Sequence, residues 1–121
     1  MKRWIRSLLL AAMAATLAPH AAAHARLERT APAAGSAIHA SPARLTLWFS
    51  QRFEPAFTTV RVLNAKGEPV ATGEAQVDPA EAKQLNVPLP KLGPGTYRVQ
   101  WRVLSVDTHV SEGHFAFEVR P

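Results

Sequence analysis

TYRVQWRVLS, residues 96 to 105, alternates without a break: Tyr97, Val99, Trp101 and Val103 fall on one side, Arg98, Gln100 and Arg102 on the other. Residues i and i+2 of extended backbone share a face, so the stretch predicts a β-strand with one buried and one wetted side. Four more runs carry the same period. HFAFEVR (114–120) aligns Phe115, Phe117 and Val119; RLTLWFS (44–50) aligns Leu45, Leu47 and Phe49 against Thr46 and Trp48. TVRVL (59–63) and QLNVPL (84–89) add Val60 with Val62, and Leu85 with Val87 and Leu89. Turn-forming residues separate them in APAAGS, NAKGEP, LGPG and SEG, with Asn64 to Pro69 reading as a hairpin loop. Gly73 to Lys83 reads as a longer connection or one helical turn. No stretch sustains a helical period. The fold class expected is all-β: an immunoglobulin-like Greek-key β-sandwich or barrel of about seven strands.

The N-terminus has a different logic. Lys2, Arg3 and Arg6 precede the apolar run LLLAAMAATLA, and PHAAA closes it with small residues. A basic start, a short apolar stretch and an A-x-A site make a secretory signal peptide. The run is shorter than the ~20 apolar residues a membrane span needs. Cleavage after Ala23 divides the chain into a signal peptide, 1–23, and one domain, 24–121, of 98 residues. Losing Lys2, Arg3 and Arg6 leaves 11 basic residues against 9 acidic ones, so the finished domain is only weakly basic. It carries no basic-aromatic stripe of the kind that binds nucleic acid. The chain has no Cys, which excludes thiolate metal sites and thiol catalysis and leaves stability to the apolar core.

Cleavage there makes His24 the first residue, with a free α-amino group beside its imidazole. No internal histidine offers that chelate. Asp107 and His109, in SVDTHVSEG, stand two apart directly after the strongest strand, so an oxygen and an imidazole nitrogen can face one ion. D-x-H alone is a weak signal. With His24 it completes three nitrogens and one oxygen, a set suited to tetragonal Cu(II) rather than to tetrahedral zinc.

The stretches that carry these features resemble one family. HARLERTAPAAGS (24–36), LTLWFS (45–50) and GPGTYRVQWRVLSVDTHVSEGHFAFEV (93–119) are similar to the CopC family of periplasmic copper-binding proteins. The likeness spans nearly all of residues 24–121. It implies a small Greek-key β-barrel or sandwich that holds one Cu(II), with His24, Asp107 and His109 as ligands. It implies a periplasmic role in copper tolerance, storage or delivery, alongside an inner-membrane partner of the CopD type, and no catalysis. Two departures stand out. Gln51 replaces the Glu that some relatives have after FS, and both methionines, Met1 and Met13, lie in the signal segment.

The remaining candidates have structural readings. His114 precedes alternating phenylalanines and is expected on the outer sheet face, with a secondary ligand role as its alternative; His39 sits in the loop SAIHASP. Trp48 and Trp101 read as packing, Glu54 and Asp78 as solvated loop charges. An N-terminal His paired with a second His also occurs in lytic polysaccharide monooxygenases. A domain of 98 residues fills one sandwich and leaves little breadth for a polysaccharide surface. An Ig-like interaction module without metal is the other alternative.

Overall fold

The computed structural model describes residues 24–121, so the expected signal peptide, 1–23, and both methionines lie outside the described residues. Among the described residues eight strands follow in order: β1 Leu27–Ala31, β2 Ala37–Ile38, β3 Arg44–Phe49, β4 Thr59–Leu63, β5 Gln76–Asp78, β6 Glu81–Pro88, β7 Gly95–Leu104 and β8 Val110–Val119. A 3-10 turn, Pro55–Phe57, precedes β4. The strands form two four-stranded sheets, ordered β1-β3-β6-β5 and β2-β8-β7-β4. All pairings are antiparallel except the short β2 against β8. This is the β-sandwich expected.

The alternating positions meet between the sheets. Leu45, Leu47 and Phe49 of β3 and Leu85 and Val87 of β6 face Val62 of β4, Tyr97, Val99 and Val103 of β7, and Phe117 and Val119 of β8, all buried. Each such side chain contributes about 1.5–3 kcal/mol on leaving water. Tyr97 stacks on Phe117 at 5.6 Å between ring centres, and its hydroxyl donates to the Gly93 carbonyl at 2.7 Å, so its one polar group is satisfied. Toward one end of the sandwich, Phe49 stands edge-on to both Phe53 and Trp101, at 5.5 and 5.4 Å.

Three expectations need correction. SEG is not a turn: Gly113 lies inside β8, directly opposite Trp101 of β7. A Cβ on Gly113 would stand 2.7 Å from Cζ2 of Trp101, so the glycine makes room for the indole. Gly113→Ala should therefore destabilise the fold by about 1–3 kcal/mol and shift the Trp emission, measured by urea unfolding followed by fluorescence; unchanged stability and emission would mean that the indole moves freely. The segment from Gly73 to Lys83 holds no helical turn. It contains β5 and the start of β6, paired through Val77 and Leu85.

The third correction is Asp78, which is not a solvated loop charge. It ends β5, where its carboxylate accepts from Asn86 Nδ2 at 3.0 Å and from the Ala80 amide at 3.0 Å. The Asn86 bond chiefly, then the Ala80 amide and the charge of Arg44, hold its carboxyl below the usual carboxylate range, against some desolvation. A carboxyl with a depressed native pKa stabilises the fold above its unfolded value, near ~3.9, and that contribution is lost as pH falls through the lower native value. Asp78→Asn should thus cost stability at neutral pH, and the gap from the wild type should narrow below about pH 4. Denaturant midpoints across the acid range measure it; a constant gap would remove the assigned cause.

Candidate metal centre

Two segments far apart in the sequence meet at one end of the sandwich. Ala25 is buried at 1% exposure, which pins the N-terminal segment into the core and leaves His24 exposed. Arg26 exchanges two bonds with Ser50 beyond the end of β3: its amide donates to Ser50 Oγ at 2.8 Å, and its carbonyl accepts from the Ser50 amide at 2.8 Å. These continue the β1–β3 ladder past Leu27 and Phe49 and fix where His24 emerges.

The connection from β7 to β8 supplies the other half. Ser105 is fully buried, and its amide donates to the His109 carbonyl at 2.9 Å while the Thr108 amide donates to the Ser105 carbonyl at 2.9 Å. Thr108 takes φ 74°, a left-handed conformation that costs a residue with a Cβ about 1–2 kcal/mol. Bonds on both sides of it hold this conformation, and it sets Asp107 and His109 on one side of the turn. Ser105 Oγ hydrogen-bonds Asp107 Oδ1 and also lies 3.0 Å from the His109 carbonyl. Asp107 Oδ1 further accepts from the His109 amide at 3.3 Å and stands 3.2 Å from His109 Nδ1. The Ser105 bond first, then the contacts with His109, outweigh desolvation and keep the Asp107 carboxyl below its ordinary range, so it is an anion at neutral pH.

The rings of His24 and His109 stand edge to face, 4.6 Å between centres and 85° between planes. Residues from the first and last thirds of the domain are thus in contact, with Asp107 braced against His109. Among the described residues, no group of three or more His, Cys, Asp or Glu side chains is drawn together as a ready metal cage. Asp107 turns its Oδ1 to the turn that carries it, and the donors present beyond it are two imidazoles.

The other sequence candidates stay apart. His39 follows β2, which pairs with Glu118 and Val119 at the opposite end of β8, about 30 Å from its start at ~3.4 Å per residue. His114 faces outward midway along β8, opposite Gln100. Gln51 is half-buried just after β3, and Glu54 is exposed ahead of the 3-10 turn. Trp48 packs as expected, its Nε1 donating to Gln84 Oε1 at 2.9 Å under the Arg29 guanidinium, 3.8 Å from the ring centre. Sequence reasoning gave no role to Ser105 or Ser50. One is a buried hydroxyl that fixes the aspartate, the other the hydroxyl that receives the N-terminal strand; their only signal was position, two before Asp107 and directly after β3.

Comparisons with known proteins agree with this architecture. Over 119 residues the chain is 38% identical to "Protein YobA" of Escherichia coli (strain K12), covering 98% of this chain and 96% of that protein. The crystal structure of CopC from Methylosinus trichosporium OB3b superposes with a TM-score of 0.75 at 34% identity, over 81% of this chain and 95% of that one. PcoC, described as a methionine-rich copper resistance protein from Escherichia coli, superposes with a TM-score of 0.67 at 35% identity, over 80% and 99% of the two chains. Residues 27–120 match the CopC domain, and the chain belongs to that family.

Proposed function

We propose that this protein is exported to the periplasm, loses residues 1–23, and binds one Cu(II) for copper tolerance, storage or delivery, without catalysis. The observation that carries the reading is the contact of the His24 and His109 rings, at 4.6 Å, beside an ionised Asp107. The third nitrogen is the α-amino group that processing would expose on His24. It belongs to the backbone and adds a donor beyond those of the side chains. Amine, two imidazoles and a carboxylate fit the preference of Cu(II) for nitrogen and oxygen in a tetragonal arrangement. Asp107 has a double task here: it orients His109 through Nδ1, as ligand histidines usually are oriented, and it supplies negative charge to the cation. The membership in a family that includes copper resistance proteins supports the same cargo. A CopD-type membrane protein is the partner proposed for exchange.

The site is tested by substituting its two internal members. His109→Ala removes an equatorial nitrogen and should change the Cu(II) electron paramagnetic resonance spectrum and weaken binding by about 100-fold, if roughly 10–16 kcal/mol of metal binding is shared among four donors. Asp107→Asn removes charge and the brace on His109, and should weaken binding by about 10- to 100-fold, the range for groups that orient metal-bound histidines. A spectrum unchanged in His109→Ala would move the site to His39 or His114.

A further inference from the structure

The second sheet has an outer face that the proposed metal centre does not use, and three arginines gather on it against Glu112. On β7 the outward residues are Arg98, Gln100 and Arg102; on β4, Arg61 lies directly opposite Gln100. That register makes Arg61 the diagonal neighbour of both Arg98 and Arg102, at about 7–8 Å. On the other flank, Ala116, His114 and Glu112 of β8 stand opposite Arg98, Gln100 and Arg102. All three arginines are exposed. Among the described residues the ion pairs are Asp107 with His109 and Glu118 with Arg120, so no carboxylate approaches these three guanidinium groups within 4.0 Å.

Opposite charges facing each other across a ladder stabilise a sheet, and of these arginines only Arg102 has such a partner, Glu112. Cross-strand pairing therefore gives no reason for Arg61 and Arg98. The residues line a groove of about 500 Å³ that also takes in Thr59, Trp101 and Gly113, and a second concavity along Leu63, Asn64 and Thr96 shares Arg98 and Gln100 with it. The basic surplus of the domain is small, so the sign of this face is local and does not follow from net charge.

We propose that this groove docks an acidic segment of a partner protein in extended form, its carboxylates on alternate residues. Arg98, Arg61 and Arg102 succeed one another along the strands in steps of about 7 Å, the spacing of residues i and i+2 in an extended chain. Guanidinium forks grip carboxylates through paired bonds, and Gln100 and Thr59 offer further donors to the backbone of the segment. An anionic membrane is the poorer fit: surfaces that bind one gather 4–8 Lys or Arg, whereas this groove has three arginines and is walled at one end by Glu112. The proposal stands apart from the copper reading, because none of its residues belongs to the metal centre.

The test is fluorescence anisotropy with a labelled peptide of alternating Glu and Ala, a peptide of the same composition with its Glu residues in one block, and vesicles with 30% phosphatidylglycerol. The purified protein should bind the alternating peptide more tightly than the blocked one, and less tightly as salt rises. Arg61→Gln with Arg98→Gln should weaken that binding about tenfold. Lys83→Gln with Lys91→Gln, which removes the same charge elsewhere, should leave it unchanged, as should His109→Ala. Glu112→Gln should strengthen it, an effect that a damaged fold cannot mimic. Equal loss in the arginine and lysine pairs would overturn the proposal, and so would equal binding of the two peptides or binding to vesicles alone.

Discussion

One residue added ahead of His24 should lower Cu(II) affinity by about two decades. The addition leaves the imidazole where it is, because Ala25 stays buried and Arg26 keeps its paired bonds to Ser50. What changes is the α-amino group, which becomes an amide and no longer donates a lone pair to a metal. Binding free energies of roughly 10–16 kcal/mol, shared among four ligands, put one donor near ~3 kcal/mol, and each 1.4 kcal/mol is tenfold in affinity. If residues 1–23 are removed as proposed, the uncleaved chain carries the same amide in place of the amine, so copper loading would wait for processing. The measurement is a competitive Cu(II) titration of both forms, with the thermal unfolding of the metal-free proteins as control. Equal affinity in a folded extended protein would remove the amine from the site.

The fold was legible where burial is one-sided and uninterrupted. β4, from Thr59 to Leu63, coincides with its sequence prediction, and β3 and β7 depart from theirs by a residue. β1, β2 and β5 were not, for separate reasons. A register shift between Leu27 and Arg29 breaks the alternation of β1; β2 is two residues long; and β5 runs directly into Pro79. Gly113 misled because glycine has two meanings in a strand region, a turn or a close approach, and only the position of Trp101 across the ladder decides between them. The arginine face was likewise invisible until register placed Arg61 between Arg98 and Arg102.

The metal centre divides in the same way. The pairing of Asp107 with His109 is local and could be read from spacing, as could the chemistry of an N-terminal histidine. The contact between His24 and His109 is not local: it needs β1 on β3 in one sheet, β7 on β8 in the other, and the two sheets closed over Phe49 and Trp101. Chemistry and family resemblance name the candidates, and the packing of the sandwich brings the rings of His24 and His109 into contact.

On reduction of the metal, the protein should release its copper or bind it far more weakly. Cu(I) is soft and prefers thiolate or thioether sulfur, while amine, imidazole and carboxylate suit Cu(II). This chain has no Cys, and Met1 and Met13 precede His24, so residues 24–121 contain no sulfur at all. The described relative named methionine-rich, PcoC, differs in that respect although it shares the fold at a TM-score of 0.67. The region where a second site would be sought, Asn64 to Lys83, carries Glu, Asp, Gln, Asn and Lys but no Met, Cys or His. Two of its polar side chains are also engaged: Asn64 Oδ1 closes the turn by accepting from the Lys66 and Glu68 amides at 3.0 Å, and Asp78 is held by Asn86 and Ala80. The expected stoichiometry is one Cu(II) per chain and no sulfur-based Cu(I) site. Equilibrium competition for Cu(I) with a chromophoric chelator under anaerobic reducing conditions, run beside a Cu(II) titration of the same sample, measures both. Tight Cu(I) retention that survives His109→Ala and the extension before His24 would place a second site elsewhere in the domain, and a protein restricted to Cu(II) would no longer describe it.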